Sequence, residues 1–442
     1  MKKSSARTVA LDVLESCRRS GAWADAALKA QLDRTGLSGP EAALCSRIVY
    51  GVVQNQLLLD YYLSACCSQK PEHLQLPLLN ILRIGAYQVL FLDKVPDSAA
   101  VNESVELAKL SGRGQASGLV NAVLRKLSKN KFELPALPAG DPLKRMALQY
   151  SHPKWLVKRL TALLGTEETE SFLAMNNQIA PLTAQVNSLK ITREELIREL
   201  EADGVSVKPH SWVTGSLALS GTGDVTALKA FQEGHFLIQD PAAALTALCA
   251  GLQSGNRVLD VCAAPGGKTF GAAIAMEDQG SVLACDLHAN KLSRIQEGAR
   301  RLGLGCVETA AADGRDFHPQ WENGFDAVLV DAPCSGLGII RKKPDIRYKK
   351  ADDLFTLPVI QSAILENAAR YVKPGGTLLY STCTILPEEN QDVTEGFLAR
   401  HPDFSREKLP LSIAEGTDGQ ITLWPQRHDT DGFYICRMKR NT

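Results

Sequence analysis

A chain of 442 residues with 45% hydrophobic and 22% charged residues is typical of a globular protein, and it is too long for one ordinary hydrophobic core. The formal net charge of zero means that global charge does not attract nucleic acid, so any such partner requires a local basic patch. Eleven cysteines without a C-x-x-C pair indicate a reduced, intracellular protein with no structural metal. The basic N-terminus lacks the apolar region of a signal peptide, and we find no run of about 18 apolar residues that predicts a membrane span. We therefore expect a cytoplasmic protein of two or three domains.

The first part of the chain is predicted to be helical. Apolar residues recur at helical spacing through residues 6–127, where strand patterns are nearly absent. This spacing predicts six or seven helices in an all-helical domain over residues 1–130, with the last helix over 114–127. A segment rich in proline and glycine follows and predicts a linker over residues 131–145.

A smaller unit begins near the run S-H-P-K-W at 151–155, where the proline suits the first turn of a helix. Beyond it, the pattern predicts a β-α-β-β order, with a strand at 183–187, a helix at 193–202 and strands at 205–208 and 216–219. We therefore expect a small α+β domain over residues 146–235.

Strands and helices alternate from about residue 236 to the C-terminus, which predicts an α/β domain over residues 236–442. The predicted strands cover 257–262, 281–286, 306–311, 327–331 and 377–381, followed by an antiparallel hairpin of 421–424 and 432–437. Such an order is typical of a mostly parallel sheet with helices on both faces.

The run V-L-D-V-C-A-A-P-G-G-K-T at 258–269 is predicted to be a buried strand, a glycine loop and a helix that starts at Thr269. Backbone N–H groups at such a turn can hold the polar end of a small molecule. A triphosphate-binding loop would need glycine where Cys262 stands, and the fingerprint G-x-G-x-x-G of dinucleotide sites is absent. The remaining alternative is a nucleoside cofactor without a pyrophosphate, such as S-adenosylmethionine.

Three carboxylates follow successive predicted strands of this domain. Asp286 lies twenty residues after Gly266, the spacing of a carboxylate that binds ribose hydroxyls. Asp313 and Asp331 end the next two strands. Because ligands of open α/β sheets bind at the carboxyl ends of the strands, we expect the three side chains to face one crevice.

Two cysteines differ from the rest because they lie in polar loops on the crevice side. Cys334 is in D-A-P-C-S-G and Cys383 is in S-T-C-T, whereas most lone cysteines are small core residues. Pro387 predicts a helix start shortly after Cys383, and a nearby helix N-terminus favours a nucleophilic thiolate.

These motifs together resemble those of the NOL1/NOP2/Sun family of RNA 5-methylcytosine methyltransferases. The resemblance covers essentially the whole chain. The chain is most similar to the bacterial members of the family that act on small-subunit (16S) ribosomal RNA. It implies an all-α NusB-like N-terminal domain, a small α+β domain and an α/β Rossmann-like class I S-adenosylmethionine-dependent methyltransferase domain. The implied reaction is methyl transfer to C5 of a cytosine through a covalent adduct between a cysteine and C6.

The resemblance also implies roles for the site residues. Cys383 is the expected nucleophile, Cys334 assists release of the product, and Asp331 contacts the cytosine edge. Cytosine methyltransferases that act on DNA use the P-C cysteine as the nucleophile, so the residues alone leave the two roles interchangeable. The implied cofactor-binding residues are Cys262, Ala263, Ala264, Pro265, Gly266, Gly267, Lys268, Asp286, Asp313 and Asp331.

A basic run at 341–350 follows the Cys334 loop directly. We expect phosphate contacts from its basic side chains, Arg341, Lys342, Lys343 and Arg347. The target base must leave its stack to reach the pocket, so we expect the protein to act on ribosomal RNA before the subunit is fully assembled. We expect the protein to be a monomer. There are two alternatives. The protein acts on transfer RNA, or it is a non-catalytic RNA-binding assembly factor.

Overall fold

The computed structural model describes residues 4–20, 23–411, 413 and 417–442. Packing divides the chain into two compact units. The first contains the residues up to Gln178 together with Ile340–Ala351, and the second contains Ile179–Ile339 and Asp352–Thr442. No helix among the described residues is long and apolar enough to cross a membrane.

The first unit is helical, as predicted. Its helices are α1 (Ala6–Ser20), α2 (Ala24–Thr35), α3 (Gly39–Gln54), α4 (Gln56–Cys66), α5 (Leu76–Phe91), α6 (Asp97–Leu110), α7 (Ser117–Lys129), α8 (Pro142–Gln149), α9 (Lys154–Leu164) and α10 (Thr166–Asn176). Helix α5 is apolar on most of its circumference and is buried nearly throughout, so it forms the centre of the bundle.

Two boundaries in this unit differ from the prediction. Helix α8 begins inside the predicted linker, because the Asp141 side chain accepts a hydrogen bond from the backbone N–H of Lys144 and caps the first turn. Helices α9 and α10, predicted with the small α+β domain, pack within the first unit.

The second unit starts with a small antiparallel sheet. It contains β1 (Leu182–Val186), α11 (Arg193–Ala202), β2 (Ser206–Pro209), β3 (Ser216–Ser220), α12 (Lys229–Gln232) and β4 (Phe236–Ile238). The strand order is β2-β3-β1-β4. Strand β4 lies at the predicted start of the α/β domain, but it pairs with β1 and so belongs to this sheet.

The rest of the second unit is the predicted α/β layer. Its elements are α13 (Pro241–Cys249), β5 (Arg257–Asp260), α14 (Gly267–Ala275), β6 (Ser281–Asp286), α15 (Ala289–Leu302), β7 (Val307–Ala311), β8 (Phe325–Asp331), α16 (Leu357–Ala369), β9 (Val372–Thr382), α17 (Gln391–Arg400), β10 (Phe404–Arg406), β11 (Gln420–Leu423), α18 (Pro425–His428) and β12 (Phe433–Arg440). The order is β10-β12-β9-β8-β5-β6-β7, with β11 also paired to β12.

The direction of the large sheet places the site. Strands β5 to β9 are parallel, and β12 is antiparallel to β9 and β11, which confirms the predicted hairpin. The chain runs from β5 through β6 to β7 on one side and then returns to β8 on the other side of β5. The crevice at such a reversal point is where ligands of open α/β sheets bind.

Candidate active site

The loop after β5 is shaped by two glycines. Gly266 has φ +109°, and a Cβ there would lie 2.5 Å from the Phe270 ring, so a side chain would distort the turn. Helix α14 begins at Gly267, two residues before the predicted start. Its first N–H groups therefore face the crevice, as a site for a polar group requires.

Asp260 ends β5 beneath this loop and is fully buried. The Thr269 hydroxyl donates a 2.7 Å hydrogen bond to its Oδ2, while its Oδ1 has no hydrogen-bond partner in the described part of the chain. Burial raises the pKa of Asp260 to about 6. Because Asp260 has no exposed surface, its carboxyl supports the glycine loop from beneath through Thr269.

Lys268 and Asp331 connect the glycine loop to the end of β8. The Lys268 ammonium donates to Asp331 Oδ2 at 2.6 Å, and the Ser381 hydroxyl donates to Asp331 Oδ1 at 3.0 Å. Burial lowers the pKa of Lys268, but the charge and hydrogen bond of Asp331 raise it by more. The charges of Asp260 and Cys383 raise it further, so the pKa of Lys268 lies above its usual value. Lys268 is therefore a fixed cation paired with Asp331 and close enough to Cys383 to interact with its charge.

The other two predicted carboxylates also lie at strand ends. Asp286 is the last residue of β6 and is nearly buried, and its Oδ1 accepts the backbone N–H of His288 at 2.9 Å. Asp313 lies two residues beyond β7, where the Arg315 side chain holds its carboxylate and lowers its pKa. Asp286 and Asp331 thus follow the strands on either side of β5, whereas Asp313 is one strand further out.

The two cysteines meet across the neighbouring strands β8 and β9. Cys334 Sγ lies 3.3 Å from Cys383 Sγ, and both residues are half-buried. The hydrogen bond to Cys383 raises the pKa of Cys334 well above its usual range, and burial and the charges of Cys383, Glu389 and Asp331 add to it. The geometry thus places the two sulfurs within hydrogen-bond distance, with either sulfur able to donate.

The segment after Cys383 differs from its prediction. Pro387–Glu389 is a short 3₁₀ turn, and α17 begins only at Gln391. The carboxyl of Glu389 and the amide of Asn390 are buried and hydrogen-bond to the cysteine loops. Sequence reasoning missed both residues, because polar residues at a predicted helix start are usually exposed to solvent.

The basic run belongs to the first unit and is partly internal. Arg347 is fully buried, and its guanidinium donates to carbonyl oxygens of Gln54, Tyr150, Ser151 and Asn176 and to the Asn177 side chain. Burial lowers the pKa of Arg347 to about 10. The expectation of a phosphate contact from Arg347 is therefore wrong, because its donors are already used inside the protein.

The remaining basic candidates are half-buried. Lys343 forms a 3.2 Å ion pair with Asp25, and Arg341 donates to the Met175 sulfur. Lys342 also has a partner in the structure. Their contact with RNA stays a prediction.

One further group in the second unit has ligand-type atoms. His235 Nδ1 lies 2.8 Å from Glu199, and its Nε2 lies 3.5 Å from Glu233. The three side chains are close enough to share a cation, but they already pair with one another. The expectation of a protein without metal stays a prediction.

Three family models match separate parts of the chain. The model described as 16S rRNA methyltransferase RsmB/F matches residues 247–439, the NusB family model matches residues 4–129, and a model of the RsmF/B-like ferredoxin-like domain matches residues 152–226. The predicted fold class of a NusB-like helical domain, a small α+β domain and a Rossmann-like methyltransferase domain is confirmed.

Individual relatives match along their full length. The chain is 38% identical to the probable ribosomal RNA small subunit methyltransferase B of Bacillus subtilis (strain 168), with 100% of each chain covered. It is 32% identical to ribosomal RNA small subunit methyltransferase B of Cronobacter sakazakii, with 99% of each covered. The crystal structure of PH0851 matches with a TM-score of 0.83 and 29% identity over 99% of this chain and 100% of that one.

Proposed function

Because this chain belongs to the 16S ribosomal RNA methyltransferase family RsmB/F, we propose that it transfers a methyl group from S-adenosylmethionine to C5 of a cytosine in small-subunit ribosomal RNA. The observation that carries the proposal is the pair of sulfurs, 3.3 Å apart, in the loops after β8 and β9. Two thiols in contact suit a reaction in which one thiolate adds to the base and must later leave it.

The residues around the glycine loop fit S-adenosylmethionine. Helix α14 starts at Gly267, and the backbone N–H groups of its first turn are donors for the polar end of the cofactor at the end of β5. Asp286 at the end of β6 is placed for the ribose hydroxyls. We assign the cofactor to the loop Cys262–Lys268 with Asp286, Asp313 and Asp331. When bound, the cofactor supplies the methyl group.

Cys383 is the proposed nucleophile. Its thiolate adds to C6 of the cytosine, and the added electron pair makes C5 nucleophilic. After the methyl group reaches C5, loss of the C5 proton to solvent restores the C5–C6 double bond and expels the Cys383 thiolate. Cys334, whose sulfur lies 3.3 Å away, is proposed to donate a hydrogen bond to that leaving thiolate. The Asp331 carboxylate, held by Lys268 and Ser381, is proposed to accept a hydrogen bond from the amino group of the cytosine.

We propose a monomer that acts on exposed ribosomal RNA before the subunit is complete. A base reaches a pocket of this kind only when it leaves its stack, and it does so most readily in single-stranded or unfolded RNA. Arg341, Lys342 and Lys343 remain proposed phosphate contacts, and Arg347 is withdrawn from that set.

The proposal is tested by incubating the protein with methyl-labelled S-adenosylmethionine and naked 16S ribosomal RNA, assembled small subunits or transfer RNA. We expect label on C5 of cytosine in the naked ribosomal RNA. Label in transfer RNA alone would support the alternative substrate. Cofactor binding with no transfer to any of the three RNAs would favour a non-catalytic assembly factor.

A further inference from the structure

A single buried carboxylate contacts both cysteine loops. Glu389 is 1% exposed. Its Oε2 accepts the backbone N–H of Ser335 at 2.8 Å, and its Oε1 accepts the Thr384 hydroxyl at 3.2 Å. Because Ser335 follows Cys334 and Thr384 follows Cys383, one side chain holds the residues next to both thiols.

A second contact fixes the other side of Cys334. The Gln361 amide donates to Glu389 Oε2 and to the carbonyl of Pro333, both at 3.0 Å. The hydroxyls of Ser335 and Thr384 also lie 2.7 Å apart. Pro333 and Ser335, the neighbours of Cys334 on either side, are thus tied to Glu389.

Asn390 holds the two neighbours of Cys383 by hydrogen bonds. Its Oδ1 accepts the Thr382 hydroxyl at 2.6 Å, and its Nδ2 donates to the carbonyl of Thr384 at 3.1 Å. Both threonines and Asn390 are fully buried, so water does not compete for these bonds.

We propose that Glu389 is a positioning residue that sets the spacing of Cys334 and Cys383. It does so through Ser335, Thr384 and Gln361. The proposal deepens the proposed function, on which it rests for the reaction that the spacing serves. Glu389 is not assigned to the substrate or the cofactor, so its effect is on the geometry of the thiol pair.

The charge of Glu389 supports the same arrangement. Its charge raises the pKa of Cys334, after the larger effects of the Cys383 hydrogen bond and burial, and Asp331 acts in the same direction. The carboxylate therefore favours the protonated form of Cys334, the form in which the proposed function uses it.

Two substitutions separate the contacts from the charge. In Glu389→Gln, the amide oxygen can still accept from Ser335 and Gln361, and the amide nitrogen can donate to the Thr384 hydroxyl, which then donates to Ser335. In Glu389→Ala, the hydrogen bond from the Ser335 N–H to Glu389 is lost, as are the contacts with Thr384 and Gln361. The spacing should be kept in the first variant and lost in the second.

The spacing can be measured without RNA. Diamide accepts two electrons and two protons from a pair of thiols as their disulfide forms. Peptide mass spectrometry follows the rate at which the Cys334–Cys383 disulfide forms. This rate reports the distance between the two sulfurs. For Glu389→Ala we expect this rate and the kcat for methyl transfer to fall by about tenfold or more. The Kd for S-adenosylmethionine should change by less than about twofold, because Glu389 is not assigned to the cofactor. Glu389→Gln should not fall below the wild-type disulfide rate, because it keeps the contacts and the loss of its charge favours the Cys334 thiolate.

Asp278→Ala is the matched control. The Asp278 carboxylate likewise holds backbone N–H groups, those of Gly305 and Cys306, but at another edge of the sheet. Its loss should lower thermal stability and leave the disulfide rate unchanged. If Glu389→Ala does not fold, Thr384→Val tests the proposal in its place, because it removes only the hydroxyl between Glu389 and Ser335. This variant should also slow disulfide formation.

An unchanged disulfide rate in folded Glu389→Ala, or equal slowing in Asp278→Ala, would overturn the proposal. The result is independent of the proposed function, since the disulfide forms without RNA or methyl transfer. A wild-type protein that does not methylate cytosine would refute that function and leave the test of Glu389 intact.

Discussion

The burial of Asp260 makes its ionisation unfavourable in the folded protein. Its pKa is raised by burial from 3.8 to about 6, so the folded state holds a proton that the unfolded state has lost. The stability associated with that proton is present below the unfolded pKa and is lost as the pH rises through the folded pKa.

We predict that Asp260→Asn stabilises the cofactor-free protein at neutral pH. The amide keeps an acceptor for Thr269 and cannot ionise. The gain in the free energy of unfolding should therefore be small near about pH 4 and rise to about 3 kcal/mol above about pH 6. Thermal unfolding of both proteins across this range measures it. A difference in stability that does not vary with pH would contradict the prediction.

Residues whose role depends on local chemistry could be predicted from the sequence. Cys334, Cys383, Asp286 and Asp331 follow strands, and parallel strands place their ends at one edge of a sheet. Glu389 could not be predicted in the same way, because in sequence it is typical of a solvent-exposed helix start. Only the fold shows that this carboxylate is buried between the two cysteine loops.

The Cys334 loop is held against its neighbouring elements by close backbone contacts. The N–H of Gly338 donates to the carbonyl of Cys383, and its carbonyl accepts the N–H of Gly432 just before β12. A Cβ on Gly338 would lie 1.9 Å from the carbonyl oxygen of Gly432, so any side chain there must displace the loop.

We therefore expect Gly338→Ala to lower methyl transfer by about tenfold or more by moving Cys334 away from Cys383. Gly396→Ala in α17 is the control, since its Cβ would meet only the flexible Arg400 side chain at 3.4 Å. The control should be neutral or more stable by up to about 1 kcal/mol. Equal activities of the two variants would show that the contact at Gly338 does not position the loop.

Elements with clear apolar spacing were predicted well, and two of the three-residue strands were not. The strand at Ser281–Asp286 and the helix at Arg193–Ala202 have the predicted bounds, because their apolar spacing is unambiguous. The three-residue strand β10 was missed, and β4 pairs with β1, a partner about fifty residues away. Strands this short depend on pairing that local pattern does not encode.

At the scale of the whole molecule, the units are not continuous in sequence. Ile340–Ala351 follows the Cys334 loop along the chain, yet it packs in the helical unit through Arg347 and Tyr348. A run of basic residues usually predicts a solvated surface. The sequence alone could not reveal that Arg347 donates to the carbonyl of Gln54, almost 300 residues away.

Arg347→Met should destabilise the helical unit by about 3 kcal/mol, because several buried carbonyl oxygens lose their donor. Hydrogen exchange in α3 and α10 is the measurement, and both helices should lose protection. Lys343→Met removes only a partly exposed ion pair with Asp25, and it should change stability by about 1 kcal/mol or less. Similar exchange in the two variants would refute an internal role for Arg347.

The central claim is that Cys383 attacks the cytosine and Cys334 releases it. Denaturing gels of Cys383→Ser and Cys334→Ser, incubated with naked 16S ribosomal RNA and S-adenosylmethionine, test it most directly. We predict that Cys334→Ser accumulates a covalent adduct of protein and RNA, and that Cys383→Ser forms no adduct and transfers no methyl group. An adduct in Cys383→Ser and none in Cys334→Ser would reverse the two roles and contradict the account.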